Sequence, residues 1–404
     1  MTSTTNRAVV IWLSGASLAS IRALPEVQAL TRKGALVELD PSPISSSQAH
    51  YYQAFSGRLP ATFGFFDTLL PRNYNIIEES TGRGTPPRLL PDLLRTVGWT
   101  VTFEEVAGAA LPGSIEQWAV ATAASPACLI VKCAATDGDT GSIGSAVRAA
   151  AAAVGETGLL ALFSEAEPAP VTCFVNINNF LADMGIIERD EQSGQIAWQN
   201  SLAYYAGHGQ LWVNLLGRDS QGAVHPQDEY EEVRETLVKA LPAKLRDENG
   251  AAVIERVYRK EELYTGDYLF CAPDLVVVFQ PGYAPSPRST RLEFDEATFS
   301  TPAAGTTVEA GAHPSLLTGF LLATAPSLAS GVAVSEHAPL TAIAPTLLHA
   351  LGIEYVDLDG SPVAELFSPS YLETHPIRSG AHNQELSEED EELIIGHLRD
   401  LGYV

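Results

Sequence analysis

The 404-residue sequence predicts an α/β protein with a mostly parallel central sheet flanked by helices. Three apolar runs carry that expectation: AVVIWL at 8–13, ACLIVKCA at 127–134 and GLLALF at 158–163. Each is short, continuous and rich in strand-forming residues, as a strand covered on both faces must be. Each ends in a polar or glycine-containing segment, and an Ala-rich helical stretch, Ala146 to Val154, separates the second from the third. Strand, loop, helix, strand at this rhythm is the βαβ unit.

The elements follow in order. Ala8 to Leu13 is a buried strand that stops at Ser14-Gly15-Ala16. Leu24 to Lys33 has helical spacing and Gly34 closes it. Gln48 to Phe55 and Pro86 to Val97 are further helices. The strand 127–134 opens into a polar, Gly-rich loop, Thr136 to Ser145. The strand 158–163 ends in Ser164-Glu165-Ala166-Glu167. Ligand sites in such sheets lie beyond the carboxyl ends of the strands. The segments starting at Ser14, Thr136 and Ser164 are therefore expected to converge.

Residues beyond 172 read differently. Gln210 to Leu215 is a short strand, Tyr230 to Leu241 an amphipathic helix, and Asp274 to Phe279 resumes the main-sheet pattern. The expectation is a core of 1–174 and 271–404 with a smaller α+β cap, 175–270, inserted between. Phe320 to Thr324 and the helix Leu340 to Leu351 rebuild the core, and Ser387 to Gly402 reads as an acidic helix capped by Ser387.

Composition restricts function. The net charge is -25, from 49 acidic and 24 basic residues. Such a surface repels phosphate backbones and anionic membranes, so nucleic-acid and membrane partners are set aside in favour of a small-molecule ligand. Part of the excess is a solvated run, Glu385 to Glu392. The four cysteines, Cys128, Cys133, Cys173 and Cys271, form no C-x-x-C pair and read as reduced. Met1 to Arg7 is polar, with no signal peptide, and no apolar run reaches transmembrane length. A cytoplasmic location is expected. Oligomeric state has no signature.

Several segments, in order, resemble the type I phosphodiesterase and nucleotide pyrophosphatase branch of the alkaline phosphatase superfamily. They are VVIWLSGA at 9–16, SSSQAHYYQAFSGRLP at 45–60, VNINNFLADMGIIE at 175–188 and QLWVNLLGRDSQGAV at 210–224. VYRKEELYTG at 257–266, APDLVVVFQPGY at 272–283, GAHPSLLTGFLLA at 311–323, APTLLHALGI at 344–353 and DGSPVAELF at 359–367 continue the series. The resemblance implies that family's α/β fold, and a site where two zinc-like ions polarise a phosphoryl or sulfuryl oxygen beside a Thr or Ser nucleophile.

Carried over position by position, that ligand set is incomplete. The first-strand Asp falls at Ser14. The D-x-x-x-H-x-x-G loop aligns with 137–144, keeping Asp137 and placing Gly141 at the His. The S-D-H-G stretch aligns with 164–167, placing Glu165 and Ala166 at its Asp and His. The late His is kept as His313. The nucleophile falls at Ser47, with Ser46 and Ser45 as alternative registers. Three ligands are gone, so the resemblance no longer implies a dinuclear zinc centre, and no cofactor is assigned. At most a single, weakly held divalent ion remains, on Asp137, Glu165 and His313.

Without the ions, Asp137, His313 and Ser47 form the set expected for triad-like chemistry, and Glu165 adds a second carboxyl for acid–base work. Ser14, Ser46, His50, Asp139 and His208 are the expected substrate-binding residues. Three functions stay open. They are a repurposed, metal-independent enzyme acting on a small molecule, a non-catalytic binder, and a conventional metal-dependent phosphodiesterase.

Overall fold

A computed structural model describes residues 5–40, 47–66, 69–72, 76–79, 86–122, 126–134, 140–168, 170–302 and 316–377. The main sheet has seven strands in the order 332–333, 35–39, 319–324, 159–164, 7–14, 127–134, 100–105. All neighbours are parallel except the strand Gly319–Thr324, which runs antiparallel to both Ala35–Leu39 and Leu159–Ser164. The expected mixed α/β architecture with a mostly parallel sheet is therefore the observed one.

Side-chain alternation explains why the central strands are apolar throughout. In Arg7–Ser14 the side chains of Val9, Ile11 and Leu13 enter one core. Those of Ala8, Val10 and Trp12 enter the other. Period two with both faces covered gives a continuous apolar run rather than an alternating one. The first core is closed by the helices Pro25–Lys33, Leu111–Ala121 and Thr140–Val154. The second is closed by Ser47–Ser56, Leu90–Thr96 and Ile343–Ala350.

A third core belongs to a four-stranded antiparallel sheet in the order 203–205, 210–213, 275–279, 254–259. The helix Asp228–Lys244 packs against its outer strand. Here one sequence expectation fails. The strand Leu275–Phe279 does not return to the main sheet but pairs with Gln210–Val213 and Ile254–Arg259. Its apolar run fits a buried strand of either sheet, and composition cannot choose between them.

The Gly-rich segment differs too. Helix begins at Thr140, so 140–145 are helical rather than loop. Gly144 is accommodated because the Glu26 carboxylate lies where a Cβ would project, 2.8 Å away. The expected helix from Pro86 starts later, at Leu90, with Pro91 in its first turn. The acidic helix 387–402 lies outside the described residues. The cysteines are free, Cys128 and Cys133 buried in the strand Ala127–Ala134. Among the described residues no helix is long and apolar enough to cross a membrane.

Candidate functional site

The adjacent parallel strands 159–164, 7–14 and 127–134 end together, with Ser14 opposite Ala134 and Trp12 opposite both Lys132 and Phe163. Trp12 and Ser14 are two residues apart and project to the same face. Glu165, one residue beyond its strand, turns its carboxylate to meet them. Its Oε1 accepts from the Ser14 hydroxyl at 2.6 Å and its Oε2 from the Trp12 indole N–H at 2.5 Å. Glu165 is 5% exposed, while Ser14 is half-buried at the rim.

The surroundings hold this arrangement rigid. The Trp12 ring is stacked between Tyr51, at 5.7 Å and 10°, and Phe163, at 5.8 Å and 12°. The Lys132 ammonium lies 4.8 Å from its centroid and pairs with Glu105 at 3.0 Å. Such a cation is drawn to the negative face of the indole. Gly319 opens the neighbouring antiparallel strand, and a Cβ there would stand 2.4 Å from the carbonyl oxygens of both Ser164 and Glu165. Only glycine lets this backbone pass so close to the turn that aims Glu165.

Burial pushes the Glu165 carboxyl above the ordinary carboxylate range. Hydrogen bonds from Ser14 and Trp12, and the Lys132 charge, oppose that shift without cancelling it. Both short-range donors are neutral, so neither balances a full negative charge. Burial also lifts the Tyr51 phenol to about 12, helped by Tyr52 and the Asp92 charge.

Ser14 and Glu165 are thus brought together, as the strand-end reading required. Ser47 is the first residue of the helix Ser47–Ser56, one turn before the Tyr51 that stacks on Trp12. His50 is buried on that helix, 4% exposed. The helix gives way to Gly57, whose φ of 66° suits glycine and where a Cβ would stand 3.1 Å from Pro345 and 3.3 Å from the Thr341 carbonyl oxygen. His208 lies in the turn between the strands Ala203–Tyr205 and Gln210–Val213. It is buried, and its φ of 51° falls between two glycines that are also left-handed. A non-glycine residue held there is strained. Ser45, Ser46, Asp137, Asp139 and His313 lie outside the described residues.

By sequence, no family model and no curated protein matches the chain. Solved structures do. Human ectonucleotide pyrophosphatase/phosphodiesterase 5 superposes with a TM-score of 0.54 at 12% identity, covering 92% of this chain and 100% of that one. The inactive murine counterpart, in complex with AMP, gives 0.54 at 12% identity, covering 90% and 100%. The chain has an alkaline-phosphatase-type α/β fold. At this identity the likeness concerns the fold of the chain and not its activity.

Sequence reasoning missed three contributors to the surroundings of Glu165. Trp12 was read as strand filling, although it sits two residues before Ser14 on the same face and carries a donor. Lys132 is the one charge in the run 127–134, a signal that was there to be used. Gly319 had no readable signal, since its need comes from a strand pairing that the sequence does not announce.

Proposed function

We propose that the protein is a repurposed alkaline-phosphatase-fold enzyme acting on a small molecule without a dinuclear zinc centre. The observation that supports this is the bonding of Glu165. Its two oxygens face two hydrogen donors, Ser14 O–H and Trp12 N–H. A cation on Oε2 would have to displace an indole N–H that is buried with Trp12, at 2% exposure. A donor hydrogen is the wrong partner for a metal, and the indole nitrogen is never a ligand.

The state of Glu165 suits acid–base chemistry. A buried carboxyl with raised proton affinity holds its proton at higher pH than an ordinary one, and can give it up to a developing anion. Ser14, bonded to Oε1 and half-exposed, is placed to relay that proton or to present its own oxygen. Ser47, at the start of the adjoining helix, is the candidate nucleophile, with Asp137 and His313 as its base pair, and His208 the candidate substrate contact from the second sheet. A non-catalytic binding role is the second reading. It is favoured by one feature, that both Glu165 oxygens are already engaged.

The deciding experiment uses purified full-length protein, elemental analysis for zinc, and chromogenic phosphodiester, sulfate and carboxylic esters with and without EDTA. Expected are sub-stoichiometric zinc and EDTA-resistant turnover, reduced roughly 10²–10⁴-fold in Glu165→Gln as for loss of a general acid or base. The Gln side chain can accept from Trp12 and donate to Ser14, so the fold survives. Activity removed by EDTA and restored by zinc would overturn the proposal. Saturable binding of AMP or another small molecule without turnover would establish the second reading.

A further inference from the structure

His349 is a buried imidazole that the candidate site does not use. It lies at the end of the helix Ile343–Ala350, in which every residue is buried, and is itself 8% exposed. Three aromatic rings surround it edge to face. They are Phe367 at 4.8 Å and 87°, Tyr371 at 5.6 Å and 84°, and Tyr355 at 6.5 Å and 78°. Its Nε2 is enclosed and has no hydrogen-bond partner among the described residues.

The backbone of His349 is also a seat. Tyr371, on the helix Pro369–Thr374, donates its hydroxyl to the His349 backbone carbonyl at 2.7 Å. The other face of that helix end is fixed by His375 stacking on Tyr371 at 4.3 Å and 7°. Removing either the cage or the clamp therefore exposes the same imidazole.

Among the described residues no buried carboxylate faces the ring. On the elements packed against the ring, Glu354, Glu365 and Glu373 are solvent-exposed. Burial lifts the Tyr355 phenol to about 12 and also raises that of Tyr371, so both stay neutral across the physiological range. His375 adds a carbonyl that favours the imidazolium and a ring that, once charged, repels it. Burial dominates, and holds the His349 pKa below the ordinary value of 6.5.

We propose that His349 is an acid-sensitive latch that seats the helix Pro369–Thr374 when neutral and unseats it when protonated. An imidazolium with an orphaned Nε2–H in an aromatic cage is stable only if water reaches it. Water reaches it only if that helix lifts.

Hydrogen exchange at the amides of Tyr371, Leu372 and His375 reads the latch directly, since each donates within this segment. After correction for intrinsic exchange, protection in the full chain is expected to fall about tenfold per pH unit below the ordinary imidazole range. It is expected to be flat in His349→Gln, and in His375→Gln, read at Tyr371 and Leu372, to keep the wild-type pH dependence at a lower overall level. Flat protection in wild type, or loss of the pH dependence in His375→Gln, would overturn the latch. If His349→Gln does not fold, ¹⁵N titration of the wild-type imidazole decides. Protonation that coincides with loss of protection supports the latch, and protonation with the helix still protected refutes it.

Discussion

Among the described residues three carboxylates are buried, and two of them, Glu165 and Asp274, ionise in opposite directions. Glu165, at the edge of the main sheet, is held by neutral donors. Asp274, at the start of a strand in the second sheet, is 0% exposed and is held by cations. Arg218 grips both its oxygens, at 2.9 and 2.8 Å, and Lys260 stands 3.6 Å away. The Tyr230 hydroxyl and the Val213 amide complete the shell at 2.7 and 2.8 Å. Burial opposes ionisation of both groups, yet the Arg218 and Lys260 charges hold Asp274 well below the usual carboxylate range, while Glu165 rises above it. Asp274 has four hydrogen bonds, two of them from a cation, where Glu165 has two from neutral groups, so donor charge and donor number together set the sign. Asp219, also beside Arg218 but with burial uppermost, rises as Glu165 does. A buried carboxylate made to stay ionised belongs to the framework. One left able to take a proton suits chemistry.

The sharpest way to break this contrast is Asp274→Asn. It leaves Arg218 buried without its main counter-charge and is expected to cost about 3–5 kcal/mol in urea unfolding. Acid does the same gradually. Asp274 contributes stability that is complete above its ordinary value of 3.8 and is lost as pH falls toward its depressed one.

Smaller effects are expected at the main sheet. Ser14→Ala removes one donor from Glu165 at little change in packing, at about 1–3 kcal/mol. The loss should be greater at pH 8 than at pH 4, because the bond matters most to the ionised form.

The smallest effect has the most informative sign. The folded state binds the Glu165 proton more tightly than the unfolded state, whose ordinary value is 4.5. Wild-type stability should therefore decline as pH rises from 4.5 through the raised folded value, and then level off. Glu165→Gln should lack that decline and gain on wild type across the same window. A gain toward acid instead would show that Glu165 is held ionised, as Asp274 is.

These two sites were unequally legible. The strand 127–134 was found to the residue and the strand 7–14 to within one at each end, because burial on both faces leaves a run that only a core strand fits. Ser14 and Glu165 were singled out by the family resemblance, and their meeting follows from topology, since strand ends in a parallel sheet converge. The ring of donors around Asp274 was not found. Its members come from 213, 218, 230 and 260, on a strand, a turn and two helices. No period or spacing in sequence brings them together. The start of the helix at Thr140 was missed because two glycines, at 141 and 144, argue locally for a loop. Packing against the neighbouring helices overrides that local preference.

The reversed strand Gly319–Thr324 also sets a schedule. The strand Ala35–Leu39 has two neighbours in its sheet, 319–324 and 332–333, and Leu39 pairs with Gly319, some 280 positions later. At ribosomal rates of about 5–20 residues per second, that is roughly 15–55 s between the emergence of an apolar strand and the arrival of its first partner. During that interval it is an unpaired edge, open to any other extended chain. The nascent protein therefore depends on a chaperone, or on the chain's own folded neighbours, to keep residues 35–39 covered until the last quarter of the sequence is made.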